Sequence, residues 1–237
     1  MGKAGKLYII PSIIAESTQE KVIPAQVKEV LKWINHFVVE DVRTARRYLS
    51  SLKIFDSIDA LHFQLLNKDT KEHELPELLK YLQEGYHMGV ISESGCPGIA
   101  DPGALAVAYA HRNHIQVVPL VGPSSILLAL MASGLNGQSF AFHGYLPVEA
   151  KEAAKAIREF EKESNVKHQT QLFIETPYRN NQVLDHLLNS LKPTSILSIA
   201  LDLTGQSQFI QTKTVKDWKL NKPSLPKEPA IFSFLAD

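Results

Sequence analysis

The 237-residue chain has one cysteine, Cys96. An internal disulfide needs two and a cysteine-rich metal site needs more, so both are excluded, and a reduced, cytoplasmic setting is expected. Neither charge is in surplus, since 25 Lys and Arg stand against 25 Asp and Glu. The overall field therefore neither gathers nor repels a polyanion, and any nucleic-acid role has to rest on a local patch. Long hydrophobic runs are also missing. The apolar run Leu7 to Ile10 stops at Pro11, too short for a signal-peptide core, and the most apolar stretch, Ile126 to Ala132, is far short of a membrane span. No repeat of fixed period and no low-complexity segment interrupts what remains.

What is present is an alternation of short apolar runs and amphipathic segments. The stretch Gly89 to Gly134 shows it most clearly. A strand at Val90-Ile91 enters a loop holding Gly95, Pro97, Gly98, Asp101, Pro102 and Gly103, and that loop opens into an alanine-rich helix. Asp101 followed by Pro102 reads as an N-cap with proline at N1. A second strand, Ile115 to Val121, ends in Gly122-Pro123-Ser124-Ser125 at the start of a second helix, whose Leu127, Leu128, Leu130 and Met131 read as buried.

Upstream, Leu7 to Ile10 and Phe37 to Val39 read as strands. Between them Pro24 opens a helix with apolar Val27, Val30, Leu31 and Ile34 at helical spacing. After Val39, Glu40-Asp41 leads into a basic helix with Arg43, Arg46 and Arg47, either a solvated face capped by Asp41 or a substrate-facing patch. Ile54 to Asn67 carries no clear period. Glu74 to Glu84 reads as one helix stopped by Gly85.

Downstream, strands are expected at Phe140 to Tyr145, Leu172 to Glu175, Ile196 to Asp202, Gln208 to Thr214 and Ala230 to Leu235, with helices at Glu149 to Glu163 and Arg179 to Leu191. Strands alternating with helices imply a parallel sheet covered on both faces, whereas the short connections near the C-terminus favour mixed pairing. The fold class is therefore α/β, with an N-terminal domain over residues 1–120, mainly a parallel doubly wound sheet, and a C-terminal domain with a mixed sheet over 121–237. Ligands of such sheets bind beyond the carboxyl ends of strands, where the loops after Ile10, Val39 and Ile91 gather.

On physical grounds the Ser92 to Gly103 loop is either a binding surface or a set of tight turns. It is not G-x-G-x-x-G and has no P-loop lysine, so neither a dinucleotide nor a triphosphate is specified. His111, His114 and His168 lack ligand spacing and read as surface residues.

The residues themselves carry a resemblance. Ser92-Glu93-Ser94-Gly95-Cys96-Pro97-Gly98-Ile99-Ala100-Asp101-Pro102-Gly103 resembles the SDAGTP-x-x-SDPG segment of the tetrapyrrole methylase superfamily, the class III S-adenosylmethionine-dependent methyltransferases. The branch it most resembles is ribosomal RNA small subunit methyltransferase I. Val117 to Ser125 is similar to that branch's VVPLPGP, Phe142 to Pro147 to its F-x-G-F-L-P, Phe173 to Arg179 to its FYESPHR, and Val39 to Arg43 to its AEDTR. These matches run in order along the chain. Three features depart from the pattern: Pro11 to Ser17 stands where the family has PTPIGNL, Gly205 stands where a lysine is expected after Asp202-Leu203-Thr204, and the sequence ends at Asp237, before the family's helical C-terminal region.

The resemblance implies two α/β domains with S-adenosylmethionine in a cleft between them, touching Cys96, Pro97, Gly98, Ile99, Ser124, Ser125, Ile174, Thr176, Pro229 and Ala230. No metal is implied, because the methyl group already sits on a cationic leaving group. It implies transfer to a ribose 2′-hydroxyl of ribosomal RNA, with the small ribosomal subunit as partner, a homodimer and no membrane. A ribose hydroxyl needs its proton removed, and Glu175, Glu93 and Asp41 are the candidate bases, with His143 behind them. Glu175 reads equally as a sheet-end carboxylate paired with Arg179. Pro11, Ser12, Arg43, Tyr178 and Arg179 are the candidate substrate contacts. Cys96 reads as a small, partly buried side chain of the cofactor loop rather than a nucleophile. Two alternatives stay open: methylation of a tetrapyrrole or other small metabolite, towards which the balanced charge leans, and a non-catalytic module that only binds the cofactor.

Overall fold

Short β-branched runs separated by amphipathic segments fold as alternating strands and helices. The computed structural model describes residues 4–236. The chain divides between Ser124 and Ser125 into two units.

The first unit runs β1 (Leu7–Ile9), α1 (Gln19–Val22), α2 (Ala25–Leu31), β2 (His36–Val39), α3 (Val42–Ser51), β3 (His62–Leu65), α4 (Leu75–Leu78), α5 (Lys80–Gln83), β4 (Met88–Ile91), α6 (Gly103–Arg112) and β5 (Val117–Pro119). Its sheet has the order β3-β2-β4-β1-β5, and every pair is parallel. Successive side chains leave opposite faces, which is why both faces carry a core. Tyr8, Phe37, Val39 and Ile91 pack with Val27, Leu31 and Leu49 on one face. Leu7, Val38, Met88 and Val90 pack with Leu75, Leu79, Leu82, Ala106 and Ala110 on the other. Full burial of each such side chain contributes roughly 1.5–3 kcal/mol, so these two layers fix where the strand ends lie. The connections leaving the neighbours β2 and β4 run to opposite sides, which opens a crevice at their carboxyl ends.

Four details differ from the sequence reading. The helix expected over Glu74 to Glu84 is two, α4 and α5, broken at Leu79 (φ −111°, ψ 14°). There the Leu82 N–H bonds the Leu79 carbonyl at 3.1 Å, a tighter turn that leaves Leu75, Leu79 and Leu82 buried, so periodicity does not register it. The strand expected over Ile115 to Val121 shortens to β5, a sheet edge in which Pro119 has no N–H to extend the ladder. Ile54 to Asn67, without a clear period, contains the opposite edge strand β3. At the start of α6, Pro102 holds the N-cap position and Gly103 is the first helical residue.

The second unit runs α7 (Ser125–Ser133), β6 (Phe140–Tyr145), α8 (Ala150–Lys167), β7 (Thr170–Glu175), α9 (Asn180–Ser190), β8 (Ile196–Leu201), β9 (Phe209–Thr214), α10 (Val215–Leu220) and β10 (Ala230–Leu235). The sheet order is β6-β7-β10-β8-β9; β6 and β7 are parallel and the other pairs antiparallel, the mixed sheet expected. Phe173, Ile199, Phe232 and Phe234 pack against Ile157, Leu184, Leu187 and Trp218. The opposite face, Leu172, Ala200 and Ile231, is covered by Ala129 and Leu130 of α7. Contrary to the reading of α7 as buried, Leu127 and Met131 are 49% and 78% exposed, because only one side of the helix meets the sheet.

Candidate functional site

At the carboxyl edge of the first sheet the loops hold one another. Ser12, buried after β1, donates its N–H to the Gly95 carbonyl at 2.8 Å and its hydroxyl to the Ser92 carbonyl at 3.3 Å. Tyr48 of α3 donates its hydroxyl to the Pro11 carbonyl at 2.8 Å. The turn after β5 crosses Pro11 so closely that a Cβ on Gly122 would lie 2.1 Å from the Pro11 Cβ. The Cys96 thiol sits 3.3 Å from the Pro123 carbonyl, tying the glycine-rich loop to this turn. Burial and then the charge of Asp101 push that thiol up, so it stays protonated and serves as a hydrogen-bond donor.

Asp101 organises the rest of the loop. Its carboxylate accepts from the Gly98 N–H at 2.9 Å and the Gly103 N–H at 2.6 Å, bridging the loop to the start of α6. Burial pushes its carboxyl up, and the N–H groups of Gly98, Gly103 and Ile99 oppose that shift. Gly98 has φ +85°, and a Cβ there would meet nothing nearer than the Ala104 nitrogen at 3.9 Å, so the space beside it is open. Pro97 is buried, Ile99 is 51% exposed and Ser124 is half-buried.

The two strand ends flanking the crevice carry acids. Asp41 caps α3, accepting from the Thr44 N–H at 2.7 Å, and that N–H with the Thr44 hydroxyl holds its carboxyl below the usual range. Glu40 accepts from the Glu93 N–H at 3.4 Å; burial pushes its carboxyl up, and the charges of Glu93 and Asp101 add to the shift. Asp41, Arg43, Arg46 and Glu93 line one shallow depression. Arg43 is exposed, whereas Arg46 pairs with Asp59 and Arg47 lies 3.7 Å from Glu16.

In the second unit, strand register gathers another set. Ala230 pairs with Glu175 and with Leu201, so Ile174 to Thr176, Asp202 and Pro229-Ala230 share one edge of the sheet. Glu175 is 4% exposed. Its Oε1 accepts from the Thr176 N–H at 2.7 Å and the Thr176 hydroxyl at 3.1 Å. Its Oε2 lies 3.5 Å from the Arg179 guanidinium without hydrogen-bond geometry, and has no hydrogen-bond partner among the described residues. Arg179 donates instead to the Pro147 carbonyl at 3.2 Å. Tyr178 is exposed, with the Lys227 ammonium 5.5 Å above its ring. His143 turns towards α8, stacked on Phe160 at 3.8 Å and bonded to Gln171 at 2.6 Å.

The departure at Gly205 has a local cause. A Cβ there would lie 2.0 Å from the Asp202 carboxylate, which accepts from the Ser207 N–H at 2.8 Å. Among the described residues no His, Cys, Asp and Glu group could hold a metal, and no helix is long and apolar enough to cross a membrane. Tyr48 and the Asp101 bridge escaped the sequence reading; in sequence Tyr48 is simply an apolar position of an amphipathic helix.

No family model matches the chain. It is 31% identical over 205 residues to the ribosomal RNA small subunit methyltransferase I of Vibrio cholerae, a match covering 86% of this chain and 67% of that protein. The chain belongs to that family. The Escherichia coli protein of the same name is 32% identical over 84% of this chain and 66% of its own. The chain thus spans about two-thirds of the length of these relatives. Its fold is that of the methyltransferase CobJ, with a TM-score of 0.62 at 15% identity over 99% of this chain and all of the other. The protein is a methyltransferase of the tetrapyrrole methylase superfamily, and its methyl donor is S-adenosylmethionine. In the first unit the residues present fit such a donor: the open space beside Gly98 admits a ligand close to the backbone, and exposed Ile99 offers an apolar face.

Proposed function

We propose that the protein methylates a ribose 2′-hydroxyl of RNA in the small ribosomal subunit. The observation that carries this reading is its 31% identity, over 86% of the chain, to a protein named for that subunit's RNA. Cys96 to Ile99 with Ser124, and Ser125, Ile174, Thr176, Pro229 and Ala230 in the second unit, hold the donor. The donor supplies a methyl group on a cationic sulfur. The protein's part is to hold the acceptor oxygen in line and to take its proton.

Glu175 is the first candidate for that proton. Its Oε1 is fixed by Thr176, while Oε2 is buried, close to a guanidinium and open to a further donor. Asp41 has a carboxylate engaged in capping and Glu93 is exposed, so they stand behind it. Pro11, Ser12, Arg43, Tyr178 and Arg179 contact the RNA, and the protein works as a cytoplasmic homodimer. Tritiated methyl transfer to undermethylated small ribosomal subunits tests the reading directly. The balance of 25 basic and 25 acidic residues favours a second reading, a small metabolite as acceptor; label in porphyrin precursors and none in the subunits would establish it. Absence of a thermal shift with millimolar S-adenosylmethionine would sink both.

A further inference from the structure

The first unit holds a recess of about 360 Å3 in which Ile13, Ile14 and Gln19, given no role so far, join residues of the strand-end loops and of α3. Ile13, Ile14 and Gln19 line it together with Thr44, Arg47 and Tyr48 of α3. Ser12 and Glu93 border it. Ile13 and Ile14 lie in the loop that replaces the family's PTPIGNL, so the altered loop builds a wall rather than leaving a gap.

Three features define what the recess takes. Ile13 and Ile14 are half-buried apolar side chains, suited to the face of a flat ring. The Gln19 Oε1 is buried and has no hydrogen-bond partner among the described residues, and a buried acceptor in that state calls for a donor. Arg47, which also lines it, pairs among the described residues only with Glu16, at 3.7 Å, and both side chains are mostly exposed; a phosphate displaces such a partner readily. The volume is near the lower end for small-molecule sites. It suits one base with its sugar and is too small for a four-ring macrocycle.

We propose that this recess receives one nucleobase taken out of the RNA stack, its face on Ile13 and Ile14, an N–H of its edge on the Gln19 oxygen, and the adjoining phosphate on Arg47. The proposal rests on the RNA reading above. Enzymes that act on single nucleotides commonly extrude them, and a chain without net charge gains from a specific pocket what its overall field does not give.

The test uses Ile13→Trp, which fills the recess, and Gln19→Leu, which removes the acceptor at similar size. With undermethylated small ribosomal subunits, Ile13→Trp is expected to lower kcat/KM by about 100-fold and Gln19→Leu to raise KM by about 10-fold. S-adenosylmethionine binding by calorimetry is unchanged in both. If the wild type labels the subunits and Ile13→Trp and Gln19→Leu keep its KM and kcat, the recess is not a base site although the RNA reading stands. If the wild type labels no RNA, that reading fails, and the recess is decided separately by nucleoside 5′-monophosphates at saturating S-adenosylmethionine. Shifts of the Ile13 and Ile14 methyl resonances that vanish in Gln19→Leu support the site, and their absence overturns it.

Discussion

The strand-end loops of the two sheets are finished differently. In the first unit the polar groups answer one another: Ser12 to Gly95 and Ser92, Tyr48 to Pro11, Cys96 to Pro123, Asp101 to Gly98 and Gly103. In the second, Glu175 Oε2, Arg179 Nε, Asn180 Oδ1 and Thr204 Oγ1 are buried without hydrogen-bond partners among the described residues. Buried polar groups without partners are costly, and a native fold keeps few of them. Apart from the Gln19 Oε1 in the recess beside it, the first edge is therefore a fixed outline, whose selectivity lies in shape. The second keeps bonding capacity for something that is not protein.

The sharpest way to break this comparison is Glu175→Gln. On the proposed function, losing the base lowers kcat by about 100- to 10,000-fold while the fold survives, because Gln still offers an oxygen to Thr176. A purely structural carboxylate predicts the reverse, a lowered melting temperature with kcat within a few-fold of the wild type. Single-turnover methyl transfer beside thermal melts separates the two.

For the first edge the corresponding change is Gly122→Ala. The new Cβ meets ring carbons of Pro11 at 2.1 and 2.3 Å, and neither backbone can yield without moving β1 or β5. Overpacking of this kind costs about 3 kcal/mol, expected as a lower midpoint in urea together with weaker S-adenosylmethionine binding. Gly205→Lys in the second unit is a milder version. Its clash is with the Asp202 carboxylate, the end of a short side chain that can swing away at the expense of the Ser207 hydrogen bond. About 1 kcal/mol is expected. Equal losses at the two glycines would show that the second edge is as rigid as the first.

The layers were readable because burial in a parallel sheet leaves its mark on every residue of a strand: Phe37-Val38-Val39 and Val90-Ile91 are apolar on both faces. Glu161 shows where such reading stops. It belongs to a charged helix in sequence, yet it is buried, accepting from the Lys192 N–H at 2.7 Å and the Ser195 hydroxyl at 2.6 Å. Its partners lie more than thirty positions away, where no local pattern reaches. Tyr48 and Gln19 escaped for the same reason, since their roles depend on the loop after β1 folding back over α3. Motif likeness located the glycine-rich loop, but the division of labour within it, with Asp101 bridging rather than capping, follows from backbone positions that sequence does not spell out.

The smallest expected effect tests the crevice of the first unit through two adjacent carboxylates shifted in opposite directions. Burial raises the folded-state value of Glu40, so its neutral form is the favoured one; the stability it contributes is present in acid and lost as pH rises through that value. Glu40→Gln should therefore raise the melting temperature at pH 7, with the difference closing below about pH 4. Asp41 is lowered by the Thr44 N–H and hydroxyl, so its contribution is present at neutral pH and lost on acidification. Asp41→Asn should lower the melting temperature slightly at pH 7, since asparagine still caps a helix, and should match the wild type in acid. Melting curves from pH 3 to 8 for both variants check the pair. Differences that stay constant with pH would mean that shape, not charge, governs this edge, and would extend to its acids what already holds for its glycines.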